Sequence, residues 1–274
     1  MAFRIAQISD THLSKARPFF VDNFAQVGEA LRTAGPDLVL NSGDISLDGA
    51  SQEADLAASR LLHDALGLPL RFLPGNHDLG DAQETASHGE APIDSGRRER
   101  YLRHFGADWW SFDVAGWRVL GINAQLLGSD LPAAEQQHAE GSEFVAGLGS
   151  RKLALFLHKP LFDRTAAEDG ISNRFLTPAQ RSRLSAMLGV APALIASGHV
   201  HQYRATTFDG SHHVWAPSTA FVLPERIQPV YGLKKVGYVE HVLEADGTHA
   251  SRMVEVPGAL TIDITALPRI YGPA

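Results

Sequence analysis

Short apolar runs along the chain end in short polar strings, and the alternation repeats. Residues 3–9 are apolar with loose alternation, and they read as a buried strand that runs into Asp10-Thr11-His12. Residues 20–34 place apolar side chains at helical spacing until Gly35-Pro36 stops them. Residues 38–40 form a second β-like run, followed by Asn41-Ser42-Gly43-Asp44. A helix rich in alanine, leucine and charge is predicted over 51–66, broken at Gly67 and Pro69. The next strand, 70–73, opens onto Pro74-Gly75-Asn76-His77-Asp78.

Residues 79–96 are polar and glycine-rich and read as a long loop or lid. Residues 97–105 read as a short basic helix, and 110–123 as a hairpin turning near Ala115-Gly116. An apolar strand over 152–157 ends at His158-Lys159-Pro160. A helix opened by Thr177-Pro178 runs to 188, and a strand over 193–197 ends at Gly198-His199-Val200-His201. From about residue 205 the chain alternates and carries several prolines, so it reads as mainly β and irregular.

Strand, polar loop and helix in repetition are the mark of α/β units with a largely parallel core. Ligands of such sheets bind in the loops beyond the carboxyl ends of the strands. No internal repeat, low-complexity stretch or linker divides the sequence. A single domain over 1–274 is expected, with residues 225–274 as a C-terminal extension.

Composition narrows the classes. At 44% hydrophobic the chain can bury a sizeable core. Its net charge of −7 does not suit bulk binding of a long nucleic acid. Without cysteine there are no disulfides, thiolate metal sites or thiol nucleophiles. No apolar run reaches membrane-spanning length, and the first residues lack a signal-peptide layout, so a cytoplasmic location is expected.

The 13 histidines are the unusual count. Asp10, His12, Asp44, Asn76, His77, Asp78, His158, His199 and His201 all follow predicted strands, so one parallel sheet would gather them at one edge. Oxygen and imidazole donors without sulfur suit Mn, Fe, Co or Zn. There are more donors than one tetrahedral ion takes, but they suit two ions sharing a carboxylate, the clamp used on phosphate esters. His63, His88, His104, His138, His212, His213, His241 and His249 match no such string and read as surface or packing residues. Arg97, Arg98, Arg100 and Arg103 read as a solvated helix face, and Trp109-Trp110 as the packed start of the hairpin.

The strings QISDTHL at 7–13, PDLVLNSGDISLDG at 36–49, LPGNHD at 73–78, His158 and SGHVH at 197–201 resemble, in order, the signature blocks of the calcineurin-like metallophosphoesterase superfamily. Within it they are most similar to the bacterial cyclic-nucleotide and glycerophosphodiester phosphodiesterases. Leu47 stands where purple acid phosphatases carry tyrosine, and GDISLDG lacks the arginine of protein serine/threonine phosphatases. Lys159 and Asn123 replace a histidine and an aspartate that the group often shows.

The resemblance implies a four-layer α/β/β/α sandwich of two mixed sheets, with a dinuclear metal site at the C-terminal strand edge. It implies that Asp10, His12 and His201 hold one divalent ion, that Asn76, His158 and His199 hold the other, and that Asp44 bridges them. Mn, Fe, Zn or Co, including mixed Fe/Mn or Fe/Zn pairs, fit this donor set. His77 would protonate the leaving oxygen, with Asp78 orienting its ring. The reaction implied is hydrolysis of small phosphodiesters by in-line attack of a hydroxide shared by the ions. A phosphomonoesterase, a nucleotide pyrophosphatase or a nuclease would use the same core, and a non-catalytic scaffold would tend to have lost ligands. The group also suggests a homodimer or higher homo-oligomer.

Overall fold

The structure, a computed structural model, describes residues 2–86 and 91–268. His88 and part of the expected 79–96 loop therefore lie outside the described residues.

Two mixed sheets face each other. In the first, β1 (Phe3–Ile8), β2 (Leu38–Asn41) and β3 (Leu70–Phe72) run parallel, and β10 (Gly237–Leu243) and β11 (His249–Glu255) extend the other edge antiparallel. The second has the order β4 (Trp110–Val114), β5 (Trp117–Gly121), β6 (Lys152–Phe156), β7 (Leu194–Ser197), β9 (Ser211–Trp215) and β8 (Arg204–Phe208). Its inner strands β5, β6, β7 and β9 are parallel, with antiparallel β4 and β8 at the edges.

Alternation along the strands decides what lies between and outside the sheets. Ile5, Leu38, Leu40 and Val239 of the first sheet meet Trp117, Phe156, Ala196 and Val214 of the second in one core. On the outer face of the first sheet, Ala6, Ile8 and Val39 pack against Phe24, Val27 and Leu31 of α1 (Val21–Ala34). On that of the second, Leu120, Leu155 and Ile195 pack against α5 (Pro132–Ala146) and α6 (Pro178–Leu188). The result is a four-layer α/β/β/α sandwich. The C-terminal segment supplies two of its strands, β10 and β11, and β10 pairs with residues 3–7 of β1.

Helix α5 is absent from the apolar pattern for a physical reason. It packs through Ala133, Ala134, Gln137, Gly141 and Val145, of which all but Val145 are small or polar. Gly141 lies so close to α6 that a Cβ there would stand 2.7 Å from Met187 Sδ. Close helix approach hides the periodicity that larger side chains would show. Among the described residues, no helix is long and apolar enough to cross a membrane.

Candidate metal centre

Every chemically notable string sits just past the carboxyl end of a strand. The first sheet presents Asp10 and His12 after β1, Asp44 after β2, and Asn76 and His77 on the single helical turn α3 (Asn76–Leu79) after β3. The second presents His158 after β6, and His199 and His201 after β7. The edges meet where His199 N–H donates to Asp10 Oδ2 at 2.9 Å, and within the first sheet His77 N–H donates to Asp44 Oδ1 at 2.9 Å.

The backbone at this junction is strained. Asp10, His12, Asp44, His199 and His201 have φ of 53°, 43°, 50°, 68° and 54°, in the left-handed region that ordinary side chains avoid. Such conformations persist only where the surroundings enforce them, and they concentrate at functional sites. The loops also touch. A Cβ at Gly75 would lie 2.2 Å from Asp44 Oδ1, and one at Gly198 would lie 1.9 Å from Ser9 Oγ.

Backbone carbonyls fix the imidazoles. His158 Nδ1 donates to Ser42 O at 3.0 Å, His201 Nδ1 to Phe221 O at 3.1 Å, His199 Nε2 to Asn173 O at 2.8 Å and His77 Nδ1 to Leu47 O at 2.9 Å. A carbonyl only accepts, so each outer nitrogen carries the proton, and the inner nitrogen of a neutral ring presents its lone pair to the site. Those nitrogens face carboxylate oxygens and one another. His201 Nε2 lies 3.2 Å from both Asp10 Oδ1 and His12 Nε2. His158 Nε2 lies 3.3 Å from Asp44 Oδ2 and 3.1 Å from His199 Nδ1. Acceptors converging at these distances need a proton or a cation between them.

Among the described residues, three sets of ligand atoms are close enough to hold an ion: Asp10, His12 and His201; Asp44, His158 and His199; and His12, Asp44 and His77. Asp44 shares two of them. The donor set, the fixed tautomers and the facing lone pairs fit divalent metal ions.

The charges respond to this crowding. Burial opposes protonation of His158, but Asp44 and Asp10 raise its pKa to about 9. Burial likewise opposes the Asp44 carboxylate, and His158 and His77 hold its pKa well below the usual range. Burial and the neighbouring His77 push His12 well down, and burial with His158 and Lys159 does the same to His199.

Asp78 corrects an expectation, since it does not orient the His77 ring. Its carboxylate accepts from Ile45 N at 3.1 Å, Ser46 N at 2.8 Å, Ser46 Oγ at 2.6 Å and Gly75 N at 2.8 Å. Four donors saturate it, so Asp78 ties the Asp44 loop to the β3 loop, and the ring of His77 rests on Leu47 O. Asn123, though it ends a strand, is buried and spent on Asp108 Oδ2, Gln125 N and the side chain of Gln137. The arginines of α4 (Ser95–Phe105) are tied up as well: Arg98 with Asp108, Arg103 with Glu53, and Arg97 and Arg100 with Ala50 O. Four site groups escaped sequence reasoning, namely the carbonyls of Ser42, Leu47, Asn173 and Phe221. No side chain signals a backbone acceptor.

Residues 3–203 match the family described as calcineurin-like phosphoesterase. The chain belongs to this family. As a calcineurin-like phosphoesterase it is a phosphoric ester hydrolase. It is 24% identical over 98% of its length to 95% of an Arcobacter nitrofigilis protein named "Probable glycerophosphodiester phosphodiesterase GpdQ". It is 27% identical over 72% of its length to 69% of a Pseudomonas aeruginosa protein named as the 3',5'-cyclic adenosine monophosphate phosphodiesterase CpdA. A Danio rerio serine/threonine-protein phosphatase is 28% identical, but over 52% of this chain and 45% of its own. Among solved structures, a yellow lupin (Lupinus luteus) purple acid phosphatase superposes with a TM-score of 0.66 at 15% identity, covering 96% of this chain and 53% of that one. A Danio rerio dimetal phosphatase does so at 0.59 and 13% identity, covering 92% and 97%. The calcineurin-like fold is thus shared well beyond sequence similarity.

Proposed function

We propose that this calcineurin-like phosphoesterase is a metal-dependent phosphodiesterase acting on small phosphodiesters of the glycerophosphodiester or cyclic-nucleotide type. The carrying observation is geometric: His201 Nε2 meets Asp10 Oδ1 and His158 Nε2 meets Asp44 Oδ2 across the two sheets, while a backbone carbonyl holds the other nitrogen of each ring. In this reading Asp10, His12 and His201 would hold one divalent ion, Asn76, His158 and His199 would hold a second, and Asp44 would serve both. Mn, Fe, Zn and Co suit the donors. Two such ions supply Lewis-acid chemistry: charge neutralisation on phosphoryl oxygens and acidification of water.

The chain's own residues do the rest. His77 is the proton donor. Its Nδ1 is spent on Leu47 O, and Nε2 lies 4.0 Å from Asp44 Oδ2 with the side chain 19% exposed, so a protonated Nε2 reaches incoming substrate. It passes that proton to the leaving alkoxide as the P–O bond breaks. Asp78 holds together the loops that carry Asp44 and His77. The relatives named as diesterases align over most of both chains, which supports a diester substrate, and the phosphatase-named relative aligns over about half.

A panel of glycerophosphodiesters, cyclic nucleotides and matched monoesters, assayed with Mn²⁺ and again with chelator, tests the proposal. Chelator-sensitive release of an alcohol or a nucleoside monophosphate from a diester is expected. Turnover of monoesters alone would favour the phosphomonoesterase reading.

A further inference from the structure

We infer that Lys159 and Asp81 form a buried clamp that positions the second metal's ligands, an inference that rests on the metal centre proposed above. Lys159 is 2% exposed and Asp81 1%, so both charges lie inside the protein. Lys159 Nζ donates to Asp81 Oδ1 at 2.7 Å, to Asp81 Oδ2 at 2.5 Å and to Thr85 Oγ1 at 3.3 Å, which uses all its donors. Asp81 Oδ1 also accepts from Ala82 N at 2.8 Å.

The placement suggests more than packing. Lys159 comes directly after His158 at the end of β6, in the second sheet. Asp81 lies just after α3, the turn after β3 that carries Asn76 and His77, in the first sheet. The pair therefore joins the two sheets beside the ligands each contributes to the second ion. Both ends are anchored. Asp81 N donates to Ala91 O at 3.0 Å and Asp81 O accepts from Ile93 N at 2.7 Å, while α3 closes through Gly80 N to Asn76 O at 2.9 Å. On the other side Gly198 N donates to His158 O at 2.8 Å.

A buried ion pair is weak evidence of stabilisation, because desolvation offsets the attraction and an apolar pair often serves as well. Its directional contacts do fix how two elements sit against each other. Here those elements carry His158 and Asn76, and outer partners bonded directly to metal ligands change affinity by about 10–100-fold, which sets the scale for a clamp on the ligands' own loops. Lys159 and Asp81 are positioning residues; neither is placed to touch substrate.

The test is a two-site Mn²⁺ titration of the full chain by calorimetry, with the second ion identified as the one lost in Asn76→Ala. The variant pairs Lys159→Met with Asp81→Asn, which removes both charges, leaves none buried alone and keeps an acceptor for Ala82 N. Urea unfolding of the metal-free proteins runs alongside. The expected result is an unfolding midpoint near wild type, an unchanged first affinity and a second affinity weakened by about 10–100-fold. Unchanged affinities, parallel weakening of both, or weakening that tracks a lowered unfolding midpoint would overturn the clamp. Wild-type chain that binds no Mn²⁺ would overturn the metal centre itself and the clamp with it.

Discussion

His158 Nε2 and Asp44 Oδ2 stand 3.3 Å apart, although one ends a strand of the second sheet and the other lies just past a strand of the first. Neither side chain is solvated: His158 is 0% exposed and Asp44 2%. The sandwich thus spends its sheet-to-sheet contact at this edge on polar groups, and the value of that arrangement is chemical.

Asp44→Ala removes a carboxylate shared by two ligand sets. Metal content is expected to fall from about two ions per chain to below one, with activity lower by more than ~100-fold. Elemental analysis of dialysed protein checks this, and retention of both ions would remove the bridging role.

His77→Ala is expected to keep metal content and lose proton donation. The rate on an alkyl diester should fall by about 10²–10⁴. A p-nitrophenolate leaving group needs little protonation, so that substrate should lose far less. Equal losses on both, or loss of metal, would mark His77 as a ligand instead.

Strain at the proposed ligands gives an inverted glycine effect. His201 has φ 54°, so Ala at 201 keeps the left-handed penalty and Gly escapes it. Metal-free His201→Gly should exceed His201→Ala in stability by about 1 kcal/mol, against the usual order. Urea unfolding of the two variants decides, and Ala more stable than Gly would deny the strain.

Acid should weaken the fold through buried neutral histidines remote from the ligands. Burial pushes His63 down to about 4 and His241 to about 3, from 6.5. Below 6.5 the unfolded imidazoles take up protons that the folded ones refuse, so stability falls as pH drops from about 6.5 toward 3. Each unit of displacement corresponds to about 1.4 kcal/mol. His241→Gln should flatten the curve of unfolding midpoint against pH below 6.5, and an unchanged slope would contradict the assignment.

Local signals in the sequence disclose the strands and the loops that form the site, whereas their division between two sheets, where the pattern alone predicts one parallel sheet, follows only from the family resemblance. Apolar runs mark β1, β2, β3, β6 and β7, and glycine-bounded polar strings mark the loops at their carboxyl ends. Asp10, His12, Asp44, Asn76, His77, His158, His199 and His201 are legible because side chains must supply the donors. The features that stay hidden depend on long-range contact. Helix α5 packs through alanine and glycine, the tautomers are fixed by anonymous carbonyls, and Asp78 turns to three backbone N–H groups and a serine hydroxyl that no spacing announces. The partnership of Lys159 with Asp81 spans 78 residues and carries no local pattern.

The most direct test of a dinuclear phosphodiesterase is a paired assay on one Mn²⁺-loaded sample. It compares kcat/KM for bis(p-nitrophenyl) phosphate and p-nitrophenyl phosphate, with metal content measured on the same protein. About two ions per chain and faster turnover of the diester, abolished by chelator, are expected. Faster turnover of the monoester would contradict the diester assignment, and absence of bound metal would contradict the site.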